Sequence, residues 1–243
     1  MSLFAPRERR AVRKDARHRT RSTREPNDRS NVPSDSKPGP IVFIVDDDVS
    51  VRESLELLIQ TAGWQPATFA SATAFLAQPR VRVPSCLLLD VSLPDLNGLD
   101  LQQRIADDRA DMPIIFITGY GDVPMTVRAM KAGAVEFLTK PLDDDALLSA
   151  ISHALDQSRA ALGHEAEVRD VRERYESLSR REREVMSLVV SGLLNKQVGG
   201  ELQISEITVK AHRGKVMRKM KADSLADLVN MAATLHLTPV RKA

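Results

Sequence analysis

The chain of 243 residues carries a single cysteine, Cys86. One cysteine excludes an internal disulfide framework and any metal site built on several thiolates. Cys86 heads an apolar run, so the expected role is that of a small packed hydrophobe. No apolar run approaches the ~18 residues of a membrane span. The first 40 residues also lack the apolar core of a secretory signal. They have almost no apolar periodicity, are rich in Arg, Ser and Pro, and close on Lys37-Pro38-Gly39-Pro40. Residues 1–40 are therefore expected to be a disordered basic tail. Together these absences place the protein in a reducing cytoplasm, off the membrane.

What is present is an ordinary globular composition, 42% hydrophobic and 28% charged, in a length that favours two small domains. The net charge of +2 hides a strong segregation. Residues 1–40 hold 11 Lys and Arg against 5 Asp and Glu, residues 41–177 hold 12 against 22, and residues 178–243 hold 12 against 6. An acidic middle beside a basic C-terminal part predicts different partners, with nucleic acid the first candidate for the basic one.

From Ile41 the pattern becomes regular. Ile41–Val45, Thr68-Phe69, Leu87–Leu89, Ile114–Ile117 and Ala134–Leu138 read as strands, the first, third and fourth as continuously apolar runs. Helices alternate with them: Val51 to Ala62, one from Ser71, one from Gly98, one through Val127, Ala129 and Met130 to Gly133, and one from near Asp143. This alternation predicts a doubly wound, five-stranded parallel sheet with helices on both faces. In such sheets the functional crevice lies at the carboxyl ends of the strands. That pole collects Asp46 and Asp47 after the first strand, Asp90 after the third, Thr118 after the fourth and Lys140 after the fifth. Three converging carboxylates repel one another, and an all-oxygen site of this kind suits Mg2+. Lys140 adds a positive charge and Thr118 a hydroxyl. The set makes a phosphoryl group on Asp90 chemically feasible.

Residues 41–158 resemble the receiver domain of two-component response regulators, on Val45-Asp46-Asp47, Leu87–Asp90, Thr118-Gly119 and Phe137-Leu138-Thr139-Lys140-Pro141. The resemblance implies a flavodoxin-like fold, with Asp90 as phospho-acceptor and Mg2+ held by Asp46, Asp47, Asp90 and the Ser92 backbone carbonyl. It further implies that Thr118 and Lys140 contact the phosphoryl group, that Phe137 is an aromatic switch, and that the Lys140–Pro141 bond is cis. The face made by the fourth helix and fifth strand is where receivers of this family usually dimerise.

Residues 159–177 read as a linker helix, with Val168, Val171 and Tyr175 at loose helical spacing as a weak pairing seam and Gly163 as a break. Residues 178–238 read as a small all-α domain. Ser179 to Glu182 forms a capping-box pattern, Asn195 caps a second helix, Ser205 a third and Ser224 a fourth. The two central helices have helix-turn-helix spacing. Val209, Val216 and Met220 form the inward stripe of the third helix, leaving Lys210, Arg213, Lys215, Arg218 and Lys219 largely outside it.

This segment resembles the LuxR-type DNA-binding domain on Leu178–Val185, Asn195–Leu202, Ile204–Arg213 and Val216–Met220. Joined to a receiver, it points to the NarL/FixJ class and its FixJ branch. By that resemblance Lys210, Ala211 and Arg213 face base edges, while Lys196, Thr208, His212 and Lys219 favour phosphates; His212 could equally pack at a helix–helix contact. Gly199, Gly200 and Gly214 depart from the family pattern and are expected to weaken their helices. The implied protein is a phosphorylation-activated transcription regulator. Its partners are a sensor histidine kinase, double-stranded promoter DNA, a second copy of itself and RNA polymerase, and it is not an enzyme in the ordinary sense. A competing reading is a phosphatase of the haloacid-dehalogenase type, with Asp46 as nucleophile and Asp48 as general acid. A third is that the basic domain binds only proteins.

Overall fold

Leu87, Leu88 and Leu89 are fully buried on alternating faces of the central strand, and the layers follow from them. A computed structural model describes residues 39–119 and 121–237; of the tail expected over residues 1–40, residues 1–38 lie outside the described residues. The parallel sheet consists of β1 (Ile41–Val45), β2 (Gln65–Phe69), β3 (Ser85–Asp90), β4 (Ile114–Thr118) and β5 (Glu136–Thr139), in the order β2-β1-β3-β4-β5. Period-two alternation sends Phe43, Val45, Leu87, Leu89 and Phe116 to one face. There they pack with α2 (Ala72–Leu76), α3 (Gly98–Ile105) and α4 (Val123–Lys131). Val42, Ile44, Cys86, Leu88, Ile115 and Ile117 go to the other face, against α1 (Val49–Thr61) and α5 (Asp144–Glu176). Cys86 is fully buried there, and burial pushes its thiol up to about 12, in keeping with a packing role.

One expectation for this half is corrected. β5 begins at Glu136, because Val135 is taken up by a bond from its amide to the Ile114 carbonyl and pairing to β4 starts at Ile115. On α4 only Ala129 is buried, whereas Val127 and Met130 are about two-fifths exposed. The four-residue β5 is the sheet edge, so the apolar surface beneath α4 runs out.

The remaining helices are α6 (Arg180–Val190), α7 (Asn195–Leu202), α8 (Glu206–Met220) and α9 (Leu225–Thr234). Their core contains Val185, Met186, Val189, Val198, Val209, Val216, Met220 and Leu228. The Ser179–Glu182 capping box forms in both directions, and Ser205 and Ser224 cap α8 and α9. Asn195 does not cap α7: it is the first helical residue, and the Leu194 amide is satisfied instead by the Gln197 side chain. Gly199 is needed where it stands. A Cβ there would lie 2.8 Å from the Ile204 carbonyl oxygen, so the close turn between α7 and α8 requires glycine.

α5 runs unbroken for 33 residues, through Gly163. Its first half is anchored by Leu147, Ile151 and Leu155 in the sheet core, and its end by Val171 and Tyr175 against the C-terminal core. Val171 and Tyr175 of the expected pairing seam are thus used within the chain. Glu165 also binds Arg80 and Arg82 of the loop before β3 at 3.2 and 2.8 Å. Anchors at both ends outweigh the roughly 1 kcal/mol that a mid-helix glycine costs.

Candidate functional site

β1 and β3 are neighbours and end in register, Val45 opposite Leu89, so the chain places Asp46 and Asp90 side by side at the point where the sheet order reverses. Asp46 is 2% exposed and Asp90 6%. Asp47 projects from the same turn and is exposed, and carboxylate oxygens of all three lie within 4.8 Å of one another. The Lys140 ammonium donates to Asp46 Oδ2 and Asp90 Oδ2, each at 2.7 Å. The second oxygen of Asp90 accepts from the Ser92 amide and that of Asp46 from the Asp48 amide, both at 2.9 Å.

Burial raises the Asp46 carboxyl above its ordinary range, and the Lys140 hydrogen bond opposes that shift. For Lys140, burial acts downward, but the hydrogen bonds to Asp46 and Asp90 outweigh it and leave the ammonium above its ordinary value. One cation therefore spans two buried carboxylates while a third points to solvent. Three mutually close acidic oxygens with an open side fit the oxygen-ligand preference of Mg2+.

The other expected residues gather at the same pole. Thr118 ends β4, fully buried, and its carbonyl accepts from the Lys140 amide at 2.8 Å. The Lys140–Pro141 bond is cis, as the family resemblance implies. Phe137 is half-buried on β5, its ring centroid 6.1 Å from that of Phe116. A Cβ on Gly121 would come within 3.0 Å of the Phe137 ring, so glycine there leaves the ring its place. Asp48 caps α1 by accepting from the Ser50 and Val51 amides. The carboxylate that the phosphatase reading needs as general acid is thus used in holding a helix.

Two residues of this pole carried no sequence signal beyond their type. A Cβ on Gly98 would sit 2.5 Å from the Asp90 carbonyl oxygen, so the start of α3 lies against the backbone of Asp90. Asp95 accepts from the Ala72 and Thr73 amides and the Thr73 hydroxyl, tying the loop after β3 to α2. Those bonds, Thr73's first, hold its carboxyl below the usual range.

In the C-terminal half, Lys196 is exposed at the start of α7 and Lys210 and Ala211 are exposed on α8. Lys210 pairs with Glu206 at 3.0 Å. Thr208 shares a 2.8 Å hydrogen bond with the capping Ser205. Arg213 is half-buried and donates to the Asn195 side chain at 3.2 Å, bracing α8 on α7. His212 is half-buried, and its Nδ1 has no hydrogen-bond partner among the described residues. The Lys219 ammonium, expected at phosphates, binds Glu182 at 2.7 Å and the Ser177 carbonyl at 3.0 Å. Through it the second helix of the turn is locked to the capping box of α6.

Comparison with known proteins agrees with both halves. Residues 42–152 match the response regulator receiver domain, and residues 176–232 match the bacterial regulatory proteins of the luxR family. The chain is 50% identical to nodulation protein W of Bradyrhizobium diazoefficiens over 82% of its own length and 87% of that protein's. It is 46% identical to the transcriptional regulatory protein FixJ of Rhizobium meliloti over 79% and 94%. Among solved structures, the response regulator StyR superposes with a TM-score of 0.72 at 44% identity, covering 80% of this chain and 98% of that one. An acidic pole built around one lysine, followed by a helix-turn-helix with these relatives, has one reading: the chain belongs to the two-component response regulators of the NarL/FixJ type, with a receiver and a LuxR-type DNA-binding unit.

Proposed function

We propose that Asp90 accepts a phosphoryl group from a sensor histidine kinase in the cytoplasm, and that the modified protein binds promoter DNA in a sequence-specific manner as a homodimer that engages RNA polymerase. The observation that carries this is the position of Lys140, 2.7 Å from the acceptor carboxylate and from its acidic neighbour at once. Asp46, Asp47, Asp90 and the Ser92 carbonyl would hold Mg2+, which when bound neutralises the carboxylates and the incoming phosphoryl oxygens. Lys140 holds the Asp90 oxygen in place and meets the charge that arrives. A carboxylate oxygen of Asp90 forms the new P–O bond as the donor's P–N bond breaks.

The added charge draws the Thr118 hydroxyl towards the phosphoryl oxygens, and Phe137 swings into the space beside it. The surface of α4 and β5 then changes shape. The exposed Val123, Val127 and Met130 offer an apolar face there for the second copy. At the output end, Lys196 and Thr208 serve as phosphate contacts with His212 beside them, Lys210 and Ala211 face base edges, and Arg213 and Lys219 hold α8 in place through Asn195 and Glu182.

The test is incubation with acetyl phosphate and Mg2+, followed by mass measurement and peptide mapping. One phosphoryl group should appear on Asp90, none should appear in Asp90→Asn, and DNA affinity should change on labelling. A label carried by Asp90→Asn, or mapped to Asp46, would refute the assignment. Removal of Mg2+ with EDTA should abolish labelling.

A further inference from the structure

Ile207 is the most exposed large apolar residue described in the chain, at 80% relative exposure, and nothing in the fold accounts for it. It occupies the second position of α8, directly after the Ser205 cap and Glu206. At about 100° per residue, Ile207, Lys210, Ala211, Gly214 and Arg218 share one arc of the helix. All five are exposed. The buried Val209, Val216 and Met220 lie on the opposite side. The outward stripe is therefore a large branched side chain at the N-terminal end, small residues behind it and cations at intervals. Gly214 and its surroundings are open, with nothing within 4 Å of where its Cβ would stand. The N-terminal residues of the second helix in a helix-turn-helix are those that reach base edges. Arg213, by contrast, is turned towards α7 and held by Asn195.

We propose that Ile207 is a specificity-determining residue that reads the C5-methyl group of thymine in the major groove, with Ala211 and Gly214 allowing the helix backbone to approach closely. The inference rests on the reading of this unit as a sequence-specific DNA binder. Its chemistry is narrow: a branched aliphatic side chain has no hydrogen bond to offer, and the one apolar group on the major-groove edge is the thymine methyl. Arg218 on the same arc supplies attraction towards the phosphates, while Lys210 lies beside Ile207 on the side that faces base edges.

The experiment begins with selection from a randomised duplex pool by the full-length protein, labelled with acetyl phosphate and Mg2+. In the enriched duplex each thymine is then replaced singly by deoxyuridine, which removes only the methyl. For at least one thymine per half-site, the wild type should lose about fourfold in affinity, the value of one buried methyl. Ile207→Ala should bind the thymine and uracil duplexes alike, and Ile207→Val should retain part of the difference. Since Ile207 touches little, circular dichroism should show both variants folded. A uracil penalty of the same size in Ile207→Ala overturns the inference while leaving DNA readout intact, and so does the absence of any methyl effect in the wild type. Failure of the pool to enrich any sequence overturns the DNA-binding reading itself.

Discussion

Lys219 and Glu182 show how much one ion pair organises. The Lys219 hydrogen bond first, and the Ser179 amide second, pull the Glu182 carboxyl down to about 2 from an ordinary value of 4.5. A folded-state pKa below the unfolded one contributes stability that is complete above the unfolded value and lost as pH falls through the folded one. Between about pH 5 and pH 2, thermal unfolding of the wild type should therefore steepen in its pH dependence relative to Lys219→Met, where the ammonium is gone. Parallel curves would show that the pair does not matter. Since Lys219 braces α6, its replacement should also lower affinity for DNA of any sequence, through lost packing as well as lost charge.

Neighbouring glycines of one element carry opposite expectations. Gly200 has open space around it, so Gly200→Ala should gain about 1 kcal/mol from helix propensity. Gly199→Ala instead forces a Cβ to 2.8 Å from the Ile204 carbonyl and should cost about 1–3 kcal/mol. Denaturant titrations of the two variants separate the signs. The same reasoning applies beside Asp90. Gly98→Ala pushes the start of α3 against the Asp90 backbone, and labelling by acetyl phosphate should slow about tenfold or more, as misplacement of a reacting group does. A Gly98→Ala protein labelled at the wild-type rate would show that this contact is dispensable.

Across the whole molecule α5 is the shared part, carrying side chains of the sheet core at one end and of the C-terminal core at the other. Gly163→Pro should break it at a cost of about 3 kcal/mol. Both halves keep their own cores, so acyl-phosphate formation and DNA binding should each survive. What should disappear is the effect of one on the other: DNA affinity with and without acetyl phosphate should become equal. Continued dependence on phosphorylation would mean that the signal does not pass along the helix.

Much of this was readable from sequence, for a physical reason. Strands buried on both faces need unbroken apolar runs, and β1, β3 and β4 carry them, each run followed at once by a polar residue at the same pole. The alternation of strand and helix then sets the fold, and with it the meeting of Asp46, Asp90, Thr118 and Lys140. Cap signals placed α6, α8 and α9 for a similar reason, because the stabilising bond lies within three or four residues. Contacts between segments distant in the chain left no such local trace. That Gly98 and Gly199 each face a carbonyl, that Lys219 is joined to Glu182, and that α5 passes unbroken through Gly163 depend on how the helices pack. So does the exposure of Ile207: amphipathic periodicity identifies the face of a helix that is buried, but only tertiary packing decides which apolar residue is left facing solvent.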